Sequence, residues 1–167
     1  MKREFIQDDN EETNNMLVEL LKAIPVRDLI SRAIDARDMS YCPYSEYAVG
    51  AALLTKEGKT YLGCNIENAA YGPSNCAERT AFFKAVSEGE RSFKAIAITG
   101  SPKGKKIDQF AFPCGVCRQV MREFCNPETF IVIVAKSETD YKVFALKELL
   151  PEGFGPENLK TGTKNEH

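Results

Sequence analysis

Imidazole is almost absent from this chain. Among 167 residues there is one histidine, and it is the last, His167. A histidine-based catalytic dyad or a histidine-rich metal centre is therefore excluded from the body of the protein. Long apolar runs are missing too: no stretch approaches the roughly 20 residues of a membrane-spanning helix. The opening "MKREFIQDDNEETNN" has no apolar h-region and is too acidic for a transit peptide. Charge of one sign is also lacking. The 22 Lys+Arg against 24 Asp+Glu leave a net −2, without the basic surface by which nucleic-acid binders usually declare themselves. These absences predict a cytoplasmic protein with reduced thiols and with neither a membrane nor a nucleic-acid partner.

What is present reads as one globular domain with its own core, at 43% hydrophobic and 28% charged residues. Residues 1–15 are polar and expected to be poorly ordered, and "MLVELLKAI" (16–24) has near-helical spacing up to Pro25. "VRDLISRAIDARDM" (26–39) places Val26, Leu29, Ile30, Ala33, Ile34 and Met39 near one helical face. "AVGAALLT" and "KTYLGCNI", joined by "KEG", predict a hairpin. A helix follows from "CAERTAFFKAVSEG", capped by Asn75 and closed by Gly89. "FKAIAITG" and "TFIVIVA" are buried strands, with a helix from "CGVCRQVMREFC" between them. "YKVFA" is an edge strand, "LKELLP" a last helical turn, and "KTGTKNEH" a mobile tail. Strands separated by helical crossovers predict a mixed sheet covered on both faces. The expected organisation is an extension over 1–25, a catalytic domain over 26–155 and a polar tail over 156–167.

Six cysteines in a reducing setting point to metal or packing, not to disulfides. Cys76 in "NCAERTAFF" and Cys114 in "PCGVC" both open helices after strand-like runs, and Cys117 shares a helical face with Cys114. Two helix N-termini that converge favour thiolates, and three thiolates make a zinc site, one ion per chain. The ligand count then matters, because a structural zinc has four protein ligands and a catalytic one keeps a position for water. Cys42 follows a different helix, Cys64 ends a strand, and Cys125 lies two turns beyond Cys117. Each is expected to fill the core as a small hydrophobe. The three-ligand open site is the leading reading; a four-cysteine staple and a C-x-x-C redox pair are the alternatives.

Glu78 would give an open position its use, as a base that shuttles protons without occupying the metal. Two residues after a ligand it lies about 200° away on an ideal helix. Cys76 must therefore stand where the helix is not yet regular. On "CAE" alone, a solvent-exposed glutamate complementing the helix dipole is an equal reading. Arg79, three residues after Cys76, tips the balance. A site of three thiolates is electron-rich, and a charge-assisted hydrogen bond from a guanidinium draws density from sulfur. The alternative is a surface arginine.

C-A-E followed by P-C-x-x-C is close to the zinc-deaminase signature, with cysteine in the place of histidine. Together with "GCNIENAAYG", "CAERTAFFKAVSEG", "PCGVCRQV" and "ELLPEGF", it resembles the small homotetrameric cytidine deaminases from about Val26 to Phe154. The resemblance implies a three-layer α/β/α sandwich with a five-stranded mixed sheet, and hydrolytic removal of the 4-amino group of cytidine or deoxycytidine. It implies that Cys76, Cys114 and Cys117 hold zinc and that Glu78 carries protons. Asn65 and Glu67 would bind the ribose 3′-hydroxyl, and Tyr47 would stand beside the base. Ala69 and Tyr71 would reach substrate from a neighbouring subunit, and Phe154 from another.

Read without the resemblance, Asn65 and Glu67 alternate along an extended strand end, share a face and offer a donor and acceptors suited to sugar hydroxyls. Three features depart from the family pattern. Tyr47 stands where phenylalanine is usual, residues 101–112 with "KGKK" are longer than usual, and residues 1–25 have no counterpart in the shortest members. Rival readings are a deaminase of a nucleoside analogue such as blasticidin S, one acting on bases in polynucleotide, and a non-enzymatic zinc-stabilised binding module.

Overall fold

The computed structural model describes residues 11–159. Helices α1 (Glu11–Lys22) and α2 (Val26–Arg37) precede a hairpin of β1 (Tyr47–Thr55) and β2 (Thr60–Cys64). Then come α3 (Ala77–Ser87), β3 (Phe93–Pro102), α4 (Gly115–Phe124), β4 (Ile131–Ser137), β5 (Asp140–Ala145), α5 (Leu146–Leu149) and a 3-10 turn at Pro156–Leu159. The strands form one sheet in the order β2-β1-β3-β4-β5. Only β3 and β4 run parallel, with Ala95 opposite Ile131 and Ile98 opposite Val134. The other pairs are antiparallel. This is the mixed five-stranded α/β architecture that the sequence predicts, with "YKVFA" at an edge.

Side-chain alternation along the strands builds two apolar layers. Ile131, Ile133 and Ala135 of β4 pack with Leu29, Ile30 and Ala33 of α2. Val132 and Val134 point the other way, toward Ala81 and Phe82 of α3 and Met121 of α4. Burial on both faces is why "TFIVIVA" reads as an unbroken apolar run. Each such side chain taken fully out of water contributes about 1.5–3 kcal/mol. Phe82 anchors the second layer, with its ring 5.0 Å from Phe93 and 6.1 Å from Phe130.

The topology also brings two helix starts together. β2 and β3 are both antiparallel to β1, so they run in the same direction. α3 follows β2 and α4 follows β3, both on the same face of the sheet, so their N-termini lie at the same end. Close approach fixes the height of α3. A Cβ on Gly63 of β2 would run into Ala77 O and lie 2.5 Å from Ala81 N, so no other residue lets the helix sit this low.

Several expectations need correction. The N-cap of α3 is Cys76, not Asn75, whose Nδ2 donates instead to Thr80 Oγ1 at 3.1 Å. Met39 is not on the buried face of α2. The helix stops at Arg37, and residues 38–40 turn so that Tyr41 can bridge to Ile66, which leaves Met39 78% exposed. Helix α1 begins at Glu11, ahead of the expected start, and buries Leu17 in the α2 layer, joined there by Ile24. Residues 17–24 therefore pack on the sheet. The expected disorder of residues 1–10 and the mobile tail over 160–167 lie outside the described residues. Among the described residues, no helix is long and apolar enough to cross a membrane.

Candidate active site

Cys76 and Cys114 are the N-cap residues of α3 and α4, each with extended backbone (φ −75°, ψ 156° and φ −68°, ψ 166°). The extended entry breaks the helical spacing at Cys76, which lets a residue two positions on face the same space. Cys114 Sγ lies 3.9 Å from Cys76 Sγ and 3.5 Å from Cys117 Sγ, and all three sulfurs fall within 4.8 Å of one another. Four-coordinate zinc with Zn–S bonds of about 2.3 Å spaces its sulfurs about 3.8 Å apart. The donor set therefore fits zinc in both chemistry and spacing. Among the described residues it is the only group of three or more potential metal ligands.

No fourth thiol joins them. Cys42 is buried beside Ser40 Oγ at 3.6 Å, and Cys125 lies in the α3/α4 layer, where burial pushes its thiol up. Cys64 is not core as expected: it is half-buried and its thiol donates to Met39 O at 3.4 Å.

Without metal the sulfurs share protons. A hydrogen bond from Cys117 and then the charge of Arg79 draw Cys76 down to about 5. The same hydrogen bond, followed by burial, pushes Cys117 up. Arg79 Nη2 reaches Cys76 Sγ at 3.5 Å and Ser74 O at 3.2 Å, so the guanidinium lies against sulfur and backbone. Glu78 is 4% exposed, and burial raises its carboxyl to about 7, with the Cys76 thiolate adding to the rise. A carboxyl poised near neutrality both accepts and releases a proton at little cost.

Comparison with known proteins fits this geometry. Residues 25–133 match the cytidine and deoxycytidylate deaminase zinc-binding region. The chain belongs to the cytidine and deoxycytidylate deaminase family. A cytidine deaminase of Sporosarcina psychrophila is 48% identical over 80% of this chain and 94% of its own length. A probable cytidine deaminase of Dictyostelium discoideum is 43% identical over 78% and 84%. The crystal structure of the Burkholderia pseudomallei cytidine deaminase superposes with a TM-score of 0.69 at 46% identity, covering 76% of this chain and 97% of that one. Zinc is the metal of this deaminase family, and the three sulfurs are where it fits.

The other residues that the family pattern singles out lie in two places. Asn65 and Glu67 project from one extended segment onto the entry to β1. Asn65 Oδ1 accepts from Val49 N–H and its Nδ2 donates to Tyr47 O, each at 2.8 Å. Glu67 Oε2 accepts from the N–H groups of Tyr44 (2.9 Å) and Ser45 (3.2 Å). The Ser45 hydroxyl and these N–H groups hold its carboxyl below the ordinary range. Tyr47 is half-buried, packs over Gly100, and has its phenol raised by burial and by Asp108. Ala69, Tyr71 and Phe154 stand apart as exposed residues; Tyr71 meets Tyr44 edge-on at 6.0 Å.

Sequence reasoning missed two sets of partners. "CPYSEY" reads as a link, yet Tyr44 and Ser45 organise Glu67, a role signalled only by the serine inside that turn. The stretch 101–112 reads as solvated loop, yet buried Arg37 ties it down through Ser101 Oγ (2.5 Å), Pro102 O (3.3 Å) and Lys105 O (3.1 Å).

Proposed function

We propose that this family member hydrolyses cytidine and deoxycytidine to uridine and deoxyuridine, with release of ammonia. The observation that carries the reading is a buried carboxyl beside three clustered sulfurs with no fourth protein ligand among the described residues. Cys76, Cys114 and Cys117 would hold zinc, whose chemistry there would be to acidify a water as the nucleophile for C4 of the base. Glu78 takes a proton and delivers it to N3 of the ring, then passes a second to the amino nitrogen, which leaves as ammonia. Burial lets it do both near neutral pH. Arg79 tempers the electron-rich sulfur of Cys76 through its charge-assisted hydrogen bond.

Asn65 and Glu67 hold the ribose 3′-hydroxyl. The backbone uses one lone pair and one N–H of the Asn65 amide, which leaves one of each for the sugar. Both backbone hydrogen bonds to Glu67 fall on Oε2, and a carboxylate that also meets the Ser45 hydroxyl still has acceptor capacity for the sugar. The carboxylate would repel a phosphate at that place, which favours nucleosides. Tyr47 stands beside the base. Ala69, Tyr71 and Phe154 serve neighbouring copies in a homotetramer with shared sites, which gives exposed aromatic side chains a use. The catalytic domain spans residues 26–155, with α1 as a buttress and residues 156–167 as a tail, and a three-thiolate site suits the reducing cytoplasm.

A spectrophotometric cytidine-to-uridine assay before and after zinc removal tests the reading. Turnover that disappears with a chelator and returns with zinc supports it. A zinc-replete protein that releases no ammonia from cytidine or deoxycytidine sinks it.

A further inference from the structure

The residue after Cys117 begins a second set of contacts along α4 that the reaction described above does not use. Arg118 Nη1 donates to Leu149 O at 2.6 Å and its Nε to Pro113 O at 2.8 Å. Gln119 Nε2 donates to Phe154 O at 3.0 Å. Arg122, buried at 8% exposure, forms an ion pair with Glu157. Gly155 lies directly on that guanidinium, since a Cβ there would stand 2.6 Å from Nη1 and Nη2 of Arg122. Gly155 N–H donates to Asn158 Oδ1 at 2.7 Å, and Asn158 N–H returns to Gly155 O at 2.9 Å, which closes the 3-10 turn.

Two successive turns of one helix thus grip the chain on both sides of Phe154, at 149 and at 155–157. The backbone of Phe154 is fixed while its ring stays 57% exposed. A ring held this way is presented outward, not stored in the core. Burying the Arg122 guanidinium is costly unless it is paired, and here Glu157 pairs with it while Gly155 packs against it. A tail that needed no fixed position would not require such an arrangement.

We propose that Arg122, with Gln119 and Gly155, forms a clamp that positions Phe154 for the active site of a neighbouring copy. The clamp residues are positioning residues: they act through Phe154 and touch no substrate. Helix α4 then has two tasks. Its first turn holds this chain's own metal ligands, and its next two turns aim an aromatic side chain at another copy's pocket. This inference rests on the deaminase reading and on the shared sites proposed with it.

The test is cytidine kinetics on Arg122→Gln and Gly155→Ala, two variants that disturb the clamp from opposite sides. A ring that covers the pocket binds ground state and transition state alike, so its misplacement raises KM and leaves kcat little changed. The expected loss in kcat/KM is about tenfold to a hundredfold in both variants, with zinc content unchanged. Arg122→Lys should recover part of it. Mixed assemblies give the sharper readout. Copies carrying Glu78→Gln have no working site of their own but present a correct Phe154, whereas Arg122→Gln copies have the reverse. Refolding them together should yield assemblies with KM shifted toward the wild-type value. Variants with wild-type KM would overturn the clamp while leaving the deaminase assignment standing. Mixtures that keep the KM of Arg122→Gln would overturn delivery to a neighbour. A wild-type enzyme without turnover would refute the parent reading and the clamp's role with it.

Discussion

Substituting Gly63 by alanine adds one methyl group at a residue with no proposed role in binding or catalysis, yet it should disable the enzyme. The added Cβ would sit 2.5 Å from Ala81 N and 3.1 Å from Ala81 Cα, and closer still to Ala77 O. Ordinary contacts need about 3.5 Å, so α3 must rise from the sheet by about 1 Å. The obstacles are backbone atoms, and no rotamer change relieves them. Overpacking of this kind costs about 1–3 kcal/mol, and a backbone clash belongs at the upper end. The same rise carries Cys76 away from Cys114 and Cys117, and Glu78 with it. Misplacing catalytic groups by about 1 Å is worth about a hundredfold in rate. Gly63→Ala should therefore lose that much kcat/KM on cytidine, bind zinc more weakly in a chelator competition, and melt at lower urea. A variant with kcat/KM within about twofold of wild type and unaltered zinc affinity would refute the claim that this contact sets the height of the helix.

Other predictions follow the same geometry. Glu78→Gln should retain zinc and lose several orders of magnitude in kcat; a zinc-replete, fully active variant removes the carboxyl from the mechanism. Arg79→Ala should show a smaller loss with weaker metal retention or an altered pH profile, and unchanged kinetics would remove its role. Burial lifts Glu78 from 4.5 to about 7, so the folded zinc-free chain keeps a proton that the unfolded chain releases between those values. Glu78's own contribution to stability should fall as pH rises from about 4.5 through 7, by about 3 kcal/mol from the difference 7 − 4.5, against an opposing rise from the Cys76 thiolate above about 5. Zinc-free Glu78→Gln should lack that part of the slope in urea melts, and an identical slope would contradict the assigned cause. Phe82→Ala removes a fully buried ring from the centre of the α3/α4 layer and should cost about 3–5 kcal/mol, read as a lower urea midpoint.

The three clustered cysteines were legible because their chemistry is local. A cysteine opening a helix after a strand, and Pro113 ahead of a C-x-x-C, mark both helix starts without any tertiary information. Their meeting was legible only as a possibility, since it depends on β2 and β3 sharing a direction through β1. The burial of Glu78 was not legible, because ideal helical spacing places it away from Cys76. The extended backbone at Cys76 removes that conflict, and the same geometry takes the N-cap position from Asn75. Met39 fits a helical period that the chain abandons after Arg37 to pair Tyr41 with Ile66. The contacts of Arg118, Gln119 and Arg122 with Leu149, Phe154 and Glu157 carry no local signal, because those partners lie some 30 residues or more along the chain.

The most direct measurement is X-ray absorption at the zinc edge of the purified protein. Three sulfur neighbours and one oxygen or nitrogen are predicted, the lighter atom changing its signature when a cytidine analogue binds. A shell of four sulfurs, unaltered by the analogue, would contradict the open coordination position on which the proposed reaction depends.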